Sequence, residues 1–147
     1  MAKLLPNTDF SIVGIPSSYS EQLKTQYDVP SNVTLYPPFS EKELVEFYNS
    51  HSAYMQLSRL EGLPNVLCEA MLCGCLPFGS KIFGIPDVIE NERFLFEIPD
   101  VEYIAKTLEK ELNEITLEKR LSVRQQIISK FSIEKREEML NSILSNG

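Results

Sequence analysis

The sequence has no tryptophan, a single histidine, three cysteines and six glycines, and each shortage removes a class of explanation. With His51 as the only imidazole and no Ser-His-Asp spacing around it, a hydrolase triad has no basis in this chain. His51 falls in Asn49-Ser50-His51-Ser52, between a helical pattern and an apolar run, and reads as part of an exposed turn. Cys68, Cys73 and Cys75 are odd in number and lack the fourth ligand that a structural metal site needs. They read as small buried thiols at a helix end and a strand start, and no metal is expected. Positive charge is also short: 14 Lys and Arg face 21 Asp and Glu, a net charge of −7. That is the wrong sign for a general nucleic-acid or anionic-membrane binder. No apolar run approaches the ~20 residues of a spanning helix, and the first residues lack the charged start and long apolar stretch of a secretory signal, so the expected location is cytoplasmic. No Gly-x-Gly-x-x-Gly follows a strand, and Gly14-Ile15-Pro16 is too plain a turn to bind pyrophosphate by itself, which disfavours a dinucleotide protein.

What is present is an alternation of short apolar runs with helical patterns, over a length that makes one domain, residues 1–147. Such alternation predicts an α/β fold, a Rossmann-like doubly wound parallel sheet with helices on both faces. Strands are expected at Phe10–Val13, Val33–Tyr36, Tyr54–Leu57, Leu76–Phe78 and Phe94–Phe96. Helices are expected at Ser18–Tyr27, Glu41–Asn49 and Pro64–Cys73, the second opened by a Ser40–Glu43 capping box. Asp100 is a plausible cap for a further helix over Val101–Asn113. Two more helical stretches, Thr116–Lys130 and Ile133–Ser145, make 116–147 a C-terminal helical segment. The acid-rich run from Glu97 to Glu118 reads as solvated helix faces.

The most informative segment runs from Ser58 through Glu61-Gly62-Leu63-Pro64-Asn65-Val66 to Glu69-Ala70-Met71. It sets two carboxylates on either side of a helix start, where unpaired N–H groups and the helix dipole favour an anion. Pro64 suits the first helical position, and Gly62 lets backbone and ligand approach closely. At ~1.5 Å of rise per residue the carboxylates of Glu61 and Glu69 should stand about 10 Å apart. That is wider than the ~5–5.5 Å of a nucleophile and acid flanking one glycosidic bond, and suits the two ends of an elongated, phosphate-centred ligand. On a helical wheel Val66, Leu67, Ala70 and Met71 form the packing stripe, while Glu69 shares the other side with Asn65.

From Ala53 to Ile89 the chain resembles the donor-binding half of family 4 glycosyltransferases, retaining enzymes of GT-B fold. The pattern is Ser58, two residues, Glu61-Gly62, then Glu69-Ala70-Met71, Gly74 and Pro77, and finally Gly84-Ile85-Pro86-Asp87-Val88-Ile89. Its specificity lies in the Glu-x7-Glu spacing, the return through Gly and Pro and the Gly-Ile-Pro turn occurring together in order. Weaker similarity extends from about Phe10 to Phe131. The resemblance implies that Glu61 is the catalytic residue facing the donor sugar and that Glu69 hydrogen-bonds the nucleotide ribose. It further implies that Gly62, Leu63 and Pro64, with the amides of Asn65 and Val66, hold sugar hydroxyls and diphosphate, Ser58 belonging to the same donor-binding set. The implied partners are a nucleotide-sugar donor and an acceptor-binding N-terminal GT-B domain, in cis or in trans. Neither a cofactor nor a metal is implied.

The chain also departs from the family pattern. The first family strand, with its Gly-Arg loop and following Lys, has no counterpart, and Met1–Pro6 reads as the tail of the helix after it. Tyr36-Pro37-Pro38 stands where the family has a Gly, and Asn91-Glu92-Arg93-Phe94 replaces a late Gly-rich turn. In the family that first strand lies mid-sheet, between the strands matching Phe10–Val13 and Tyr54–Leu57. Either those neighbours close up, or the strand comes from elsewhere, because each buried unpaired backbone group costs ~1–3 kcal/mol. The expected function is the donor-binding half of a sugar transferase with little turnover alone. The alternative is a non-catalytic GT-B module acting as an interaction or scaffold partner.

Overall fold

The computed structural model of the protein describes residues 1–60, 62, 64–97, 100–135, 137 and 141. Its first strands, Phe10–Val13 (β1) and Val33–Tyr36 (β2), pair in parallel with Phe10 opposite Val33, and helix Ser17–Gln26 (α1) makes the crossover between them. A second helix, Glu41–Ser50 (α2), leads to Ala53–Gln56 (β3), and Asn65–Leu72 (α3) leads from there to Leu76–Ser80 (β4). The short helix Ile85–Val88 (α4) precedes Leu95–Phe96 (β5), and Val101–Asn113 (α5) and Leu117–Phe131 (α6) follow. Every ladder is parallel and the helices carry the crossovers, so this is the expected α/β fold.

The differences in detail have local causes. β3 starts at Ala53, a residue before the predicted strand, because Ala53 pairs with Leu76. β4 runs on to Ser80 because Gly79 and Ser80 pair with Leu95 and Phe96. Phe94 belongs to a 3-10 turn over Glu92–Phe94, opened by the Asn91 side chain accepting from the Arg93 amide. Pro77 is tolerated inside a central strand because β4 turns its Leu76 amide toward β3, bonding the Ser52 carbonyl at 2.9 Å. The missing N–H of Pro77 therefore faces the side where β5 has not yet begun to pair. The capping box of Ser40 and Glu43 is present, and Asp100 accepts from the Tyr103 amide at 3.0 Å. Of the helix expected over Ile133–Ser145, residues 136, 138–140 and 142–145 lie outside the described residues.

The sheet does not close across its middle. β1 and β2 form one sheet and β3-β4-β5 another, with no ladder from β1 to β3 among the described residues. Of the two arrangements left open by the sequence, the structure is not the one in which the neighbours close up.

The core is equally one-sided. Phe78, Ile85, Val88, Ile104 and Leu108 are buried around the three-stranded sheet, with Leu67 and Met71 of α3 and Val123 and Ile127 of α6. No residue of β1, α1 or β2 is fully buried. One acid in the Glu97–Glu118 run is a correction to its solvated reading: Glu111 is 2% exposed. Its carboxylate is paired with Arg93 Nη2 at 2.6 Å and Lys119 Nζ at 3.3 Å, which is what allows burial. Among the described residues no helix is long and apolar enough to cross a membrane.

Candidate functional site

The connection from β3 to α3 lies at the carboxyl end of a parallel strand, where open α/β sheets place their ligands. Ser58 is half-buried there, and its carbonyl accepts from the hydroxyl of Ser80, at the end of β4, at 2.6 Å. Ser80 is fully buried, so this bond ties the start of the loop to the neighbouring strand. Gly62 is exposed, with open space where a side chain would be. Glu61 and Leu63, the expected sugar-facing residue and its neighbour, lie outside the described residues.

Pro64 is not the first helical residue, as the sequence suggested, but the N-cap, with φ −82° and ψ 88°. Its carbonyl accepts from the amides of Leu67 and Cys68 at 3.1 and 3.2 Å. Among the described residues no side chain caps the helix. Among the described residues the amides of Asn65 and Val66 have no acceptor, which leaves two donors at the positive end of α3 for an anion. Leu67, Ala70 and Met71 form the buried stripe as expected. Val66 does not join it and is 41% exposed, lining the cleft between the two sheets. Asn65 and Glu69 are both exposed and stand one turn apart.

The opposite end of α3 is fixed by α6. Gly74, at φ +81°, ends the helix in the left-handed conformation that a glycine adopts without cost. Arg120 donates from Nε to the Gly74 carbonyl at 3.1 Å and from Nη2 to the His51 carbonyl at 3.1 Å. Arg124 donates to the Leu72 carbonyl at 2.8 Å. Two guanidinium groups thus complement the negative end of α3 and hold its free amino end in place. Sequence reading missed them, since they sit about fifty residues downstream with no local signature; Gly74 to Arg120 spans 46 positions.

His51 is also corrected. It is half-buried rather than in an exposed turn, stacks on Phe47 with ring centroids 4.1 Å apart, and lies 2.7 Å from the Phe47 carbonyl through Nδ1. A neutral ring donating there accepts the Ser11 hydroxyl at Nε2, 3.0 Å away. Cys75 is a buried thiol just ahead of β4, as expected, whereas Cys73, at the C-cap of α3, and Cys68, in the middle of that helix, are only half-buried. Burial pushes the Cys68 and Cys73 thiols up, and pushes Cys75 up to about 11. The Cys75 thiol donates to the Tyr48 carbonyl at 3.2 Å. Among the described residues no group of three or more His, Cys, Asp or Glu side chains converges.

Two further residues flank the site. Arg59, in the loop ahead of Gly62, is exposed and has no ion-pair partner among the described residues. Phe83, in the turn after β4, is 65% exposed at φ +44°. A bulky residue in that left-handed region stores about 1–3 kcal/mol of strain.

Comparison with known proteins agrees with this architecture. The chain is 30% identical over 94 residues to the serotype-specific mannosyltransferase WbdA of Escherichia coli, a match covering 63% of this chain and 12% of that protein. It therefore spans about an eighth of the length of the curated relatives it matches. The fold is shared with the crystal structure of a glycosyltransferase from Rickettsia africae ESF-5, at a TM-score of 0.74 and 17% identity over 99% of this chain and 43% of that one. Residues 1–128 match the family described as glycosyl transferases group 1, and the chain belongs to that family.

Proposed function

We propose that the chain is the donor-binding half of a retaining, family 4 glycosyltransferase of GT-B architecture. One domain, residues 1–147, would bind a nucleotide-diphosphate sugar, the helical segment 116–147 bracing it. The observation that carries this reading is the uncapped start of α3, where Asn65 and Val66 leave two amides unpaired at the carboxyl end of β3. A diphosphate fits that position because its charge grows as the glycosidic bond breaks, and preorganised N–H donors stabilise growing charge. Glu69, one turn inside α3 and exposed, is within reach of a ribose lying beyond the phosphates. Glu61, with Gly62 and Leu63, would face the sugar on the other side. Arg59, in the loop ahead of Gly62 and without an ion-pair partner among the described residues, would meet the phosphates and stand in for the family's basic pair. In this reading the amides and Arg59 carry the phosphate charge, and no metal is assigned.

Because the similar Escherichia coli proteins are named as mannosyltransferases, a mannosyl donor is the first to test. The acceptor would be held by a second domain, in cis or in trans. Calorimetric titration with a panel of nucleotide diphosphates should find one that binds, and Glu69→Ala should weaken it about tenfold, the worth of one hydrogen bond to a charged group. Unchanged affinity in that variant would remove the ribose role.

A further inference from the structure

Among the described residues Phe83 belongs to no buried cluster, ring pair or cation contact, and it is 65% exposed. The chain has eight phenylalanines, and the others pack in or against the main core, pair with neighbouring rings or, for Phe131, lie under the Lys130 ammonium. Such a residue is disfavoured twice, by the apolar surface left in water and by the steric crowding at φ +44°. The turn nevertheless holds it. On one side the Lys81 amide donates to the Phe96 carbonyl at 2.8 Å and the Lys81 ammonium pairs with Glu92 at 2.7 Å. On the other, the Ile85 amide donates to the Ile82 carbonyl at 3.2 Å, and Ile85 packs so closely on Gly79 that a Cβ there would stand 2.4 Å from its Cγ2. Backbone strain fixed by its surroundings in this way collects at ligand-binding positions.

Phe83 also stands beside the α3 site. It follows Ser80 by three residues, and the Ser80 hydroxyl bonds the Ser58 carbonyl at 2.6 Å. At ~3.6 Å per residue its backbone lies within about 11 Å of Ser80, and so next to the start of the loop that leads to α3. Both positions are at the carboxyl end of adjacent parallel strands, β3 and β4. Tyr103, beyond β5, is also an exposed ring at that end, but it packs edge-on to Phe96 with centroids 5.8 Å apart. The nearest exposed residues along the chain from Phe83 are Lys81 and Asp87. Along the turn the ring is therefore a lone exposed apolar face between charges, not a run of apolar residues of the kind that docks a protein. A pyranose has the matching character, with hydroxyls around its rim and C–H bonds on its faces, whose small positive charge meets the negative face of an aromatic ring.

We propose that Phe83 is the platform for the transferred hexose, the apolar face of the pyranose resting on the phenyl ring. This rests on the donor-binding reading: with the diphosphate at the Asn65 and Val66 amides and the ribose toward Glu69, the sugar extends the opposite way, past Gly62, toward the turn after β4. Open space at Gly62 leaves that path clear. Phe83 acts on the hexose alone, while α3 holds the nucleoside diphosphate. It is thus a specificity residue, favouring donors whose sugar presents an unhindered C–H face.

The test titrates the chain, its phenylalanine rings labelled with carbon-13, with ADP, GDP and UDP and with ADP-glucose, GDP-mannose and UDP-glucose. Phe83 ring signals are assigned by their loss in Phe83→Gly, a variant that the left-handed turn accepts without strain. For at least one matched pair, the sugar nucleotide should shift those ring signals and the free nucleotide should leave them in place. The ratio of the two affinities should fall about fivefold in Phe83→Gly, the loss falling on the sugar form, as one aromatic contact contributes. Phe83→Tyr, which keeps the ring, should keep the ratio. An unchanged ratio in Phe83→Gly, or ring signals that the sugar nucleotide does not move, would overturn the platform and leave the donor-binding reading standing. Equal weakening of both forms would overturn it too, because the ring would then stack on the base. If none of the six compounds binds at millimolar concentration, the donor-binding reading fails and the platform with it.

Discussion

Single residues at the edges of the site show what the sequence hides. Phe83 has no local signal for its left-handed backbone; only the turn from β4 into α4 imposes φ +44° on it. Phe83→Gly should therefore be more stable than Phe83→Ala by about 1 kcal/mol in urea unfolding, since both lose the exposed ring and only glycine relieves the strain. Equal stabilities would show that the turn carries no strain. Cys75 offers a second measurement, because its thiol is raised to about 11 by burial, with Arg120 opposing and Cys73 adding to the rise. An acid whose folded value lies above its unfolded value of 9.0 keeps its full contribution below about pH 9. That contribution is lost as pH rises through 11, because the unfolded chain releases the proton first. Thermal stability should fall between pH 9 and 11, and Cys75→Ala should flatten the fall relative to its own value at pH 7. An unchanged slope would point to other groups.

Among the elements, α3 carries the proposed site and α6 decides where α3 sits. Arg120→Ala removes bonds to three carbonyls, those of Gly74, His51 and, at 3.4 Å, Asn49, and the charge at the helix C-terminus, so it should cost about 1–3 kcal/mol of stability by chemical denaturation. Arg120→Lys should recover only part of this, since an ammonium cannot span the Gly74 and His51 carbonyls as the guanidinium fork does. Full recovery would reduce Arg120 to a point charge. The extents of β1, β2 and α5 and the start of α2 were legible in the sequence because apolar period and caps agreed there: Ser40 with Glu43 for α2, and Asp100 before Val101 for α5, are local chemistry. The start of α3 was legible to within a residue, but Pro64 as its N-cap was not, since that depends on how the loop after β3 is held by Ser80. His51 and Glu111 were misread for one shared reason. Each is placed by a partner far along the chain, and short-range patterns do not report such partners. Glu111, for example, is buried only because Arg93 and Lys119 reach it.

At the scale of the whole molecule, a well-packed three-stranded half carries the α3 site while a two-stranded half stands beside it across an open cleft. In the proposed donor grip the Glu61 side rests on the family pattern, and the Glu69 side on its exposed position in α3 as well. The central claim is that the free amides of Asn65 and Val66 receive a diphosphate. An NMR titration of the isotopically labelled chain with nucleotide diphosphates tests it most directly. The account expects the Asn65 and Val66 amide signals to shift first and saturably for at least one of them, with Gly62 following. Signals that stay fixed at those residues for every nucleotide diphosphate at millimolar concentration, or that move only elsewhere, would contradict it.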